Sequence, residues 1–246
     1  PERVKTNEQI FLEKYGSNLS AEHHPYIRDV ESCYLSSSLA VDLAKKYDAD
    51  LHVFHLTTEK EMELFTSGEV DNKKITAEVC VHHMHFNNSY YAELGNQIKC
   101  NPSIKMESDR LALIDALKGN KIDIIATDHA PHTWDEKNQD YPSAPAGLPL
   151  VQHGLQILMD FYHEGILSLE MIVEKTSHNV AKRFQIKDRG YIREGYYADL
   201  TVLDLGKPYE VSKENILYKV GWSPFTGKTF NSSIFMTVVN GHIAFQ

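Results

Sequence analysis

Three polar residues sit at or just past the ends of apolar runs. His55 closes L-H-V-F-H (51–55), and Asp128 and His132 follow I-D-I-I (122–125) within A-T-D-H-A-P-H-T (126–133). Imidazole and carboxylate both ligate zinc, and a carboxylate beside a metal-bound water can also take its proton. Spacing leaves two readings of His55 and Asp128 open: zinc ligands, or a core histidine and an aspartate that caps the following turn. A catalytic zinc uses three protein ligands and a water, so a third ligand is needed. The candidates are His52, His82, His83 and His85; in an extended run His83 and His85 share a face, although packing roles are the commoner fate of such residues. His132 lies beyond Pro131 in a loop, where an imidazole can hydrogen-bond a substrate or its developing charge. The loop A-P-A-G-L-P (144–149) contains a glycine that permits close backbone approach, and ordinary turn chemistry explains it equally well.

The elements that would position these residues follow a helix–strand rhythm. Leu35, Leu39 and Leu43 mark a helix face in 31–47; 51–55 alternates as a strand; T-T-E-K-E-M-E-L-F (57–65) opens like a helix with a threonine cap. I-T-A-E-V-C-V (75–81) reads as a strand, 109–118 as a helix and 122–127 as a strand, while 151–162 and 169–176 have helical period. Such alternation implies parallel strands joined by crossover helices. From about residue 189 short β-like runs take over, and Asn240-Gly241 between two apolar runs signals a hairpin. The expected fold is therefore α/β over residues 1–188, with a small β unit over 189–246. Three strands are legible before residue 189, whereas a closed (β/α)8 barrel has eight in about 250 residues.

Composition narrows the function. The 246 residues are 42% hydrophobic and 24% charged, an ordinary globular balance with one large core. A formal charge of −9, with no Lys/Arg cluster, argues against nucleic acid and for a small-molecule partner. Cys33, Cys80 and Cys100 are few, scattered and odd in number, which fits a reducing cytoplasm better than a disulfide framework. No apolar run reaches membrane-spanning length, and the polar start P-E-R-V-K-T-N-E does not resemble a signal peptide. G-x-S-x-G, P-loop and G-x-G-x-x-G patterns are missing, and Ser36–Ser38 fall inside a helix.

Taken together and in order, several segments resemble dihydroorotases of the amidohydrolase superfamily. They are H-L-T-T-E-K-E from His55, T-A-E-V-C-V-H-H-M-H-F, K-C-N-P-S-I-K from Lys99, A-T-D-H-A-P-H-T and A-P-A-G-L-P. D-R-G-Y-I-R-E-G-Y-Y-A-D-L-T-V-L-D and V-V-N-G-H resemble the closing β-sandwich of cyclic amidohydrolases. The resemblance implies a metal-dependent hydrolase with a (β/α)8 TIM-type barrel, of which this chain holds the C-terminal portion. It implies reversible cyclisation of N-carbamoyl-L-aspartate to L-dihydroorotate in pyrimidine biosynthesis, with zinc, two ions in the intact enzyme, as cofactor. His55 and Asp128 match zinc ligands, and Asp128 also matches the general acid/base. Asn101, His132, Ala146 and Gly147 match substrate-binding positions, the last two through their backbone.

Departures from the family pattern are Ser103 and Lys105, where a proline and an arginine are commoner, and Ala146, where an aromatic residue is frequent. The first-strand H-x-H pair with its arginine, the fourth-strand ligand and the fifth-strand histidine have no match. With two of the expected ligands, the chain by itself is expected to hold zinc weakly at that site and to be inactive. The rival readings are a hydantoinase- or allantoinase-like cyclic amidohydrolase, and a non-catalytic dihydroorotase-like subunit whose open strand edges a partner covers. Self-association into a homo-oligomer stays open.

Overall fold

A computed structural model describes residues 2–246. Its helices are α1 (Glu2–Tyr15), α2 (His24–Ile27), α3 (Val30–Tyr47), α4 (Val81–His85), α5 (Tyr91–Leu94) and α6 (Glu107–Lys118). They continue with α7 (Trp134–Lys137), α8 (Gly154–His163), α9 (Leu169–Val173) and α10 (Asn179–Arg183). Three strands, β1 (Leu51–Val53), β2 (Ile75–Cys80) and β3 (Ile124–Ala126), form one parallel sheet in the order β1-β2-β3. Leu51 pairs with Ile75 and Glu78 with Ile124. A parallel pair needs a crossover, and α4 to α6 provide one between β2 and β3. Val79, Met84, Leu113, Leu117, Ile125 and Leu158 are buried together beneath it. No helix among the described residues is long and apolar enough to cross a membrane.

Three sequence expectations need correction. Residues 57–65 form a 3-10 turn at Lys60–Leu64 rather than a helix. Glu61 is buried, accepting hydrogen bonds from Ser37 Oγ (2.5 Å) and Thr58 Oγ1 (2.8 Å), and such local side-chain bonds compete with helix propagation. Second, β2 stops at Cys80, where its partner β3 ends at Ala126, and Val81–His85 coils into α4. His83 and His85 therefore do not share a strand face. Third, α3 spans the expected residues, but its Leu35, Leu39 and Leu43 are 51%, 62% and 47% exposed. The smaller Ser37, Val41 and Ala44 are the side chains of α3 that are buried.

Past α8 the helical run 169–176 divides into α9, a π-helical turn at Glu174–His178, and α10. The wide turn lets two side chains reach the chain entering β3: Lys175 Nζ donates to Asn120 Oδ1 (2.6 Å) and Asn179 Nδ2 to the Asp123 carbonyl (2.8 Å). The C-terminal strands are β4 (Leu200–Asp204), β5 (Tyr209–Glu210), β6 (Thr229–Phe230), β7 (Ser233–Val239) and β8 (His242–Phe245). They form an antiparallel sheet β4-β7-β8 and a pair β5-β6. Asn240 (φ 51°) and Gly241 (φ 79°) make the tight β7–β8 turn that the sequence signals.

At the N-terminal ends of β2 and β3, Lys73 Nζ and Asp123 Oδ1 form a buried ion pair at 2.7 Å, 5% and 2% exposed. Asp123 Oδ2 also accepts the Ala77 amide (3.0 Å), so one carboxylate ties both strands together. Removing one partner of such a pair leaves an uncompensated buried charge. Asp123→Ala is therefore expected to lose about 3–5 kcal/mol of unfolding free energy in urea denaturation, a large part of a typical domain's stability.

Candidate functional site

β1 and β3 deliver His55 and Asp128 two residues past their last paired positions, at the same edge of the sheet. Both residues adopt left-handed backbone, φ 43° and 46° respectively. Neither is glycine, so each carries backbone strain of the kind that gathers at functional sites. After His55 the chain rejoins the sheet through Leu56 N to Glu78 O (2.9 Å), which fixes where the kink falls. His55 is half-buried beside a 270 Å³ cavity lined also by Cys33, Ser37, Glu61 and Pro102, and Asp128 is exposed.

His132 sits where its loop meets residues 144–148. Its Nε2 donates to the Ala146 carbonyl (3.2 Å), its own carbonyl accepts from Trp222 Nε1 (2.8 Å), and Ala130 N donates to Leu148 O (3.1 Å). Gly147 has φ 142°, and a Cβ there would lie 2.4 Å from the Ala130 carbonyl oxygen. In this chain the glycine thus accommodates a neighbouring loop. The Gly147 amide donates to Lys99 O (2.8 Å), so both backbone groups expected to face substrate already have partners within the chain. His129 Nδ1 accepts the amides of Leu150 (2.9 Å) and Val151 (3.2 Å), a packing role.

Asn101 is exposed on a loop held from beneath by buried lysines. Lys99 Nζ donates to Tyr141 O (2.6 Å), and Lys137 Nζ donates to Lys99 O (3.0 Å) and Pro145 O (2.9 Å). Burial is the main force pulling both ammonium groups down to about 8, helped for Lys99 by the Arg28 charge. Sequence patterning gave no sign of these cations, because they are scattered along the chain and meet only through the loops. His24 completes the clamp: one ring nitrogen donates to the Cys100 carbonyl (2.8 Å) and the other accepts from the Tyr141 hydroxyl (2.7 Å).

Of the candidate third ligands, His52 is engaged with Thr76 Oγ1 (2.8 Å) and Glu78 Oε2 (3.2 Å). His85 packs edge-on against Phe86 and Phe225. His82 and His83 instead join Cys80, with ligand atoms all within 4.8 Å of one another, the one group of three such side chains among the described residues. Burial pulls the His82 imidazole down to about 3, with a smaller push from His55, and burial raises the Cys80 thiol well above its usual range. In the sequence Cys80 stands out only as one of three scattered cysteines; the C-x-H-H spacing across a strand-to-helix junction is the signal that marks it. His55 and Asp128 are right in kind for a metal, but among the described residues no third such side chain joins them in a group.

A parallel α/β unit that presents a histidine and an aspartate past the C-terminal ends of β1 and β3, on either side of β2, has the layout in which barrel enzymes place their functional side chains. The chain belongs to the amidohydrolase family, whose pattern matches residues 38–244. It is 35% identical over 205 residues to a dihydroorotase of Endomicrobium trichonymphae, covering 83% of this chain and 49% of that one. To the dihydroorotase of Streptococcus pneumoniae it is 32% identical over 245 residues, 98% of this chain and 55% of that one. Among solved structures, an L-hydantoinase from Arthrobacter aurescens superposes with a TM-score of 0.90 at 22% identity, covering 98% of this chain and 54% of that one. A dihydropyrimidinase from Brevibacillus agri gives 0.88 at 20%, covering 100% and 55%. The chain spans about half the length of the curated relatives it matches, and its parallel unit is the C-terminal portion of their (β/α)8 barrel.

Acid sensitivity follows from two buried histidines, His24 beneath these loops and His153 against the hydroxyls of Tyr218 and Ser223. Burial holds His24 down to about 3 and His153 down to about 4. An unfolded chain binds those protons near pH 6.5 while the folded chain refuses them, so stability is unaffected above pH 6.5 and falls as pH drops below it. Each group contributes up to about 1.4 kcal/mol per pH unit between its unfolded and folded values. Urea midpoints measured from pH 7 to pH 4.5 should decline, and His24→Gln should flatten that decline by one group's share.

Proposed function

We propose that this chain supplies the His55 and Asp128 side of a dihydroorotase active site, which interconverts N-carbamoyl-L-aspartate and L-dihydroorotate in pyrimidine biosynthesis. The observation that carries the reading is the pair of left-handed strand ends at His55 and Asp128, flanked by the Asn101 and His132 loops, in a chain that is 35% identical to a dihydroorotase. The remaining ligands, and a fixed cation for the substrate carboxylate, come from barrel residues outside these 246.

Zinc held by His55, Asp128 and those further ligands would lower the pKa of water and polarise the ring carbonyl. Asp128 accepts the proton of the attacking water and returns it to the ring nitrogen as the carbon–nitrogen bond breaks. In the cyclisation direction it takes the proton from the carbamoyl nitrogen and delivers it to the departing oxygen. Asn101 hydrogen-bonds the substrate carboxylate. His132 aids it only if its ring turns from the Ala146 carbonyl, because the Nε2 proton is engaged there. Lys99, Lys137 and Lys105 lie buried at the base of the loops, giving that corner a positive bias which the net charge of −9 denies the molecule as a whole.

Likeness to hydantoinases at 20–22% identity carries the fold alone, whereas the relatives above 30% identity are dihydroorotases. A panel of L-dihydroorotate, hydantoin and allantoin, given to protein that contains the complete barrel, separates the readings. Only dihydroorotate should be opened, and faster turnover of hydantoin or allantoin refutes the assignment. In the same protein Asp128→Asn should lower kcat in both directions by about 10²–10⁴-fold with an unchanged circular dichroism spectrum. Wild-type turnover in that variant would remove Asp128 from the reaction.

A further inference from the structure

A thiol and two imidazoles converge behind the strand ends, and the chain leaves their lone pairs unused. Cys80 and His82 are fully buried and His83 is 3% exposed. Both ring nitrogens of His82 and Nδ1 of His83 have no hydrogen-bond partner among the described residues. His83 Nε2 donates to the Pro102 carbonyl (3.1 Å), so its lone pair resides on Nδ1. Metal-binding histidines are oriented in this manner, with the far N–H on a carbonyl. An unmade hydrogen bond at a buried polar atom costs about 1–3 kcal/mol, so three orphan nitrogens together are a sizeable unexplained burden.

The local fold builds the cluster. Cys80 is the last residue of β2, and the turn of α4 beginning at Val81 brings His82 and His83 back toward its sulfur, with the two rings 4.0 Å apart. Cys100 stands nearby, but its Sγ donates to the Pro102 carbonyl (3.1 Å) and is thereby outside the set.

We propose that Cys80, His82 and His83 form a binding site for one borderline-soft divalent cation of the zinc and cobalt class, distinct from the His55 and Asp128 pair. A thiolate with two imidazoles suits that class, and the lack of oxygen ligands disfavours magnesium and calcium. Three protein ligands leave one tetrahedral position for a water. On binding, the Cys80 S–H bond is exchanged for a sulfur–metal bond and the proton leaves to solvent, so a dication enters as a site of net charge +1. The site does not depend on the dihydroorotase reading, because none of its ligands has a role there. A buried water could satisfy the same nitrogens without any need of the sulfur, and that is the alternative the experiment separates.

The test is titration of the purified 246-residue chain with Co(II) after chelator treatment, under a mild phosphine reductant, both folded and during refolding from urea. One equivalent should bind with a thiolate-to-cobalt charge-transfer band. Cys80→Ser should lose the band and His82→Ala the stoichiometric binding, while Cys33→Ser, His55→Ala and Asp128→Asn should retain both. Because Cys80 and His82 are core residues, X-ray absorption of the unmutated chain loaded with zinc reads the ligands directly: one sulfur and two imidazole nitrogens. A sulfur-free shell, a band that survives Cys80→Ser, or no bound cobalt in either regime overturns the proposal.

Discussion

Parallel pairing of β1, β2 and β3 is the constraint from which the rest follows. Strands that run the same way end at the same edge, so whatever residues follow them are collected there without any need for proximity in sequence. His55 and Asp128 are 73 positions apart in the chain, yet both fall two residues beyond a strand of the same sheet. The opposite edge carries the anchoring. Lys73, Asp123, Lys175 and Asn179 interlock there through buried charge and hydrogen bonds that hold β2 against β3. Stability and the proposed chemistry thus lie at opposite ends of the strands, and strained backbone at one end is tolerated because the other is tightly bound.

Charge is distributed by the same logic. The surface is acidic enough to give the chain a net −9, but the loops around Asn101 and Gly147 rest on ammonium groups whose hydrogens are spent on backbone carbonyls. Loops that would otherwise bury unsatisfied carbonyl oxygens are satisfied by donors that also leave positive potential beneath them. One set of side chains therefore shapes the loops and biases them toward an anionic ligand. His24 adds rigidity at the same place without adding charge, since burial keeps it neutral.

Much of this was legible in the sequence wherever one physical signal acted alone. Three strands followed by polar residues, the Asn240-Gly241 turn and the helices at 31–47 and 109–118 all stand where periodicity and turn chemistry place them. Failures came where a side chain's tertiary partner outweighed local preference. The helix expected from Thr57 gives way because Glu61 turns inward to Ser37 and Thr58, and the strand expected through Val81 stops at Cys80, opposite the last residue of β3, where the chain coils into α4. Leu35, Leu39 and Leu43 show the limit of periodicity in another way: helical spacing was right, but it does not say which face the core occupies. Their exposure, on the helix leading into an edge strand, fits a chain that covers about half of its relatives' length.

The histidines test how far spacing can go toward chemistry. Strand alternation pairs His83 with His85, but helical geometry parts them, sending His85 to an aromatic contact and His83 to Cys80 and His82. A ligand set is defined by where lone pairs point once neighbouring donors have been used, and that depends on contacts such as Pro102 to His83 that no local pattern encodes. For His55 and Asp128 the reverse holds. Their side chains gain meaning from a backbone feature, the left-handed turn after a parallel strand, that residue type alone disfavours and only a sheet fixed at its far end can sustain.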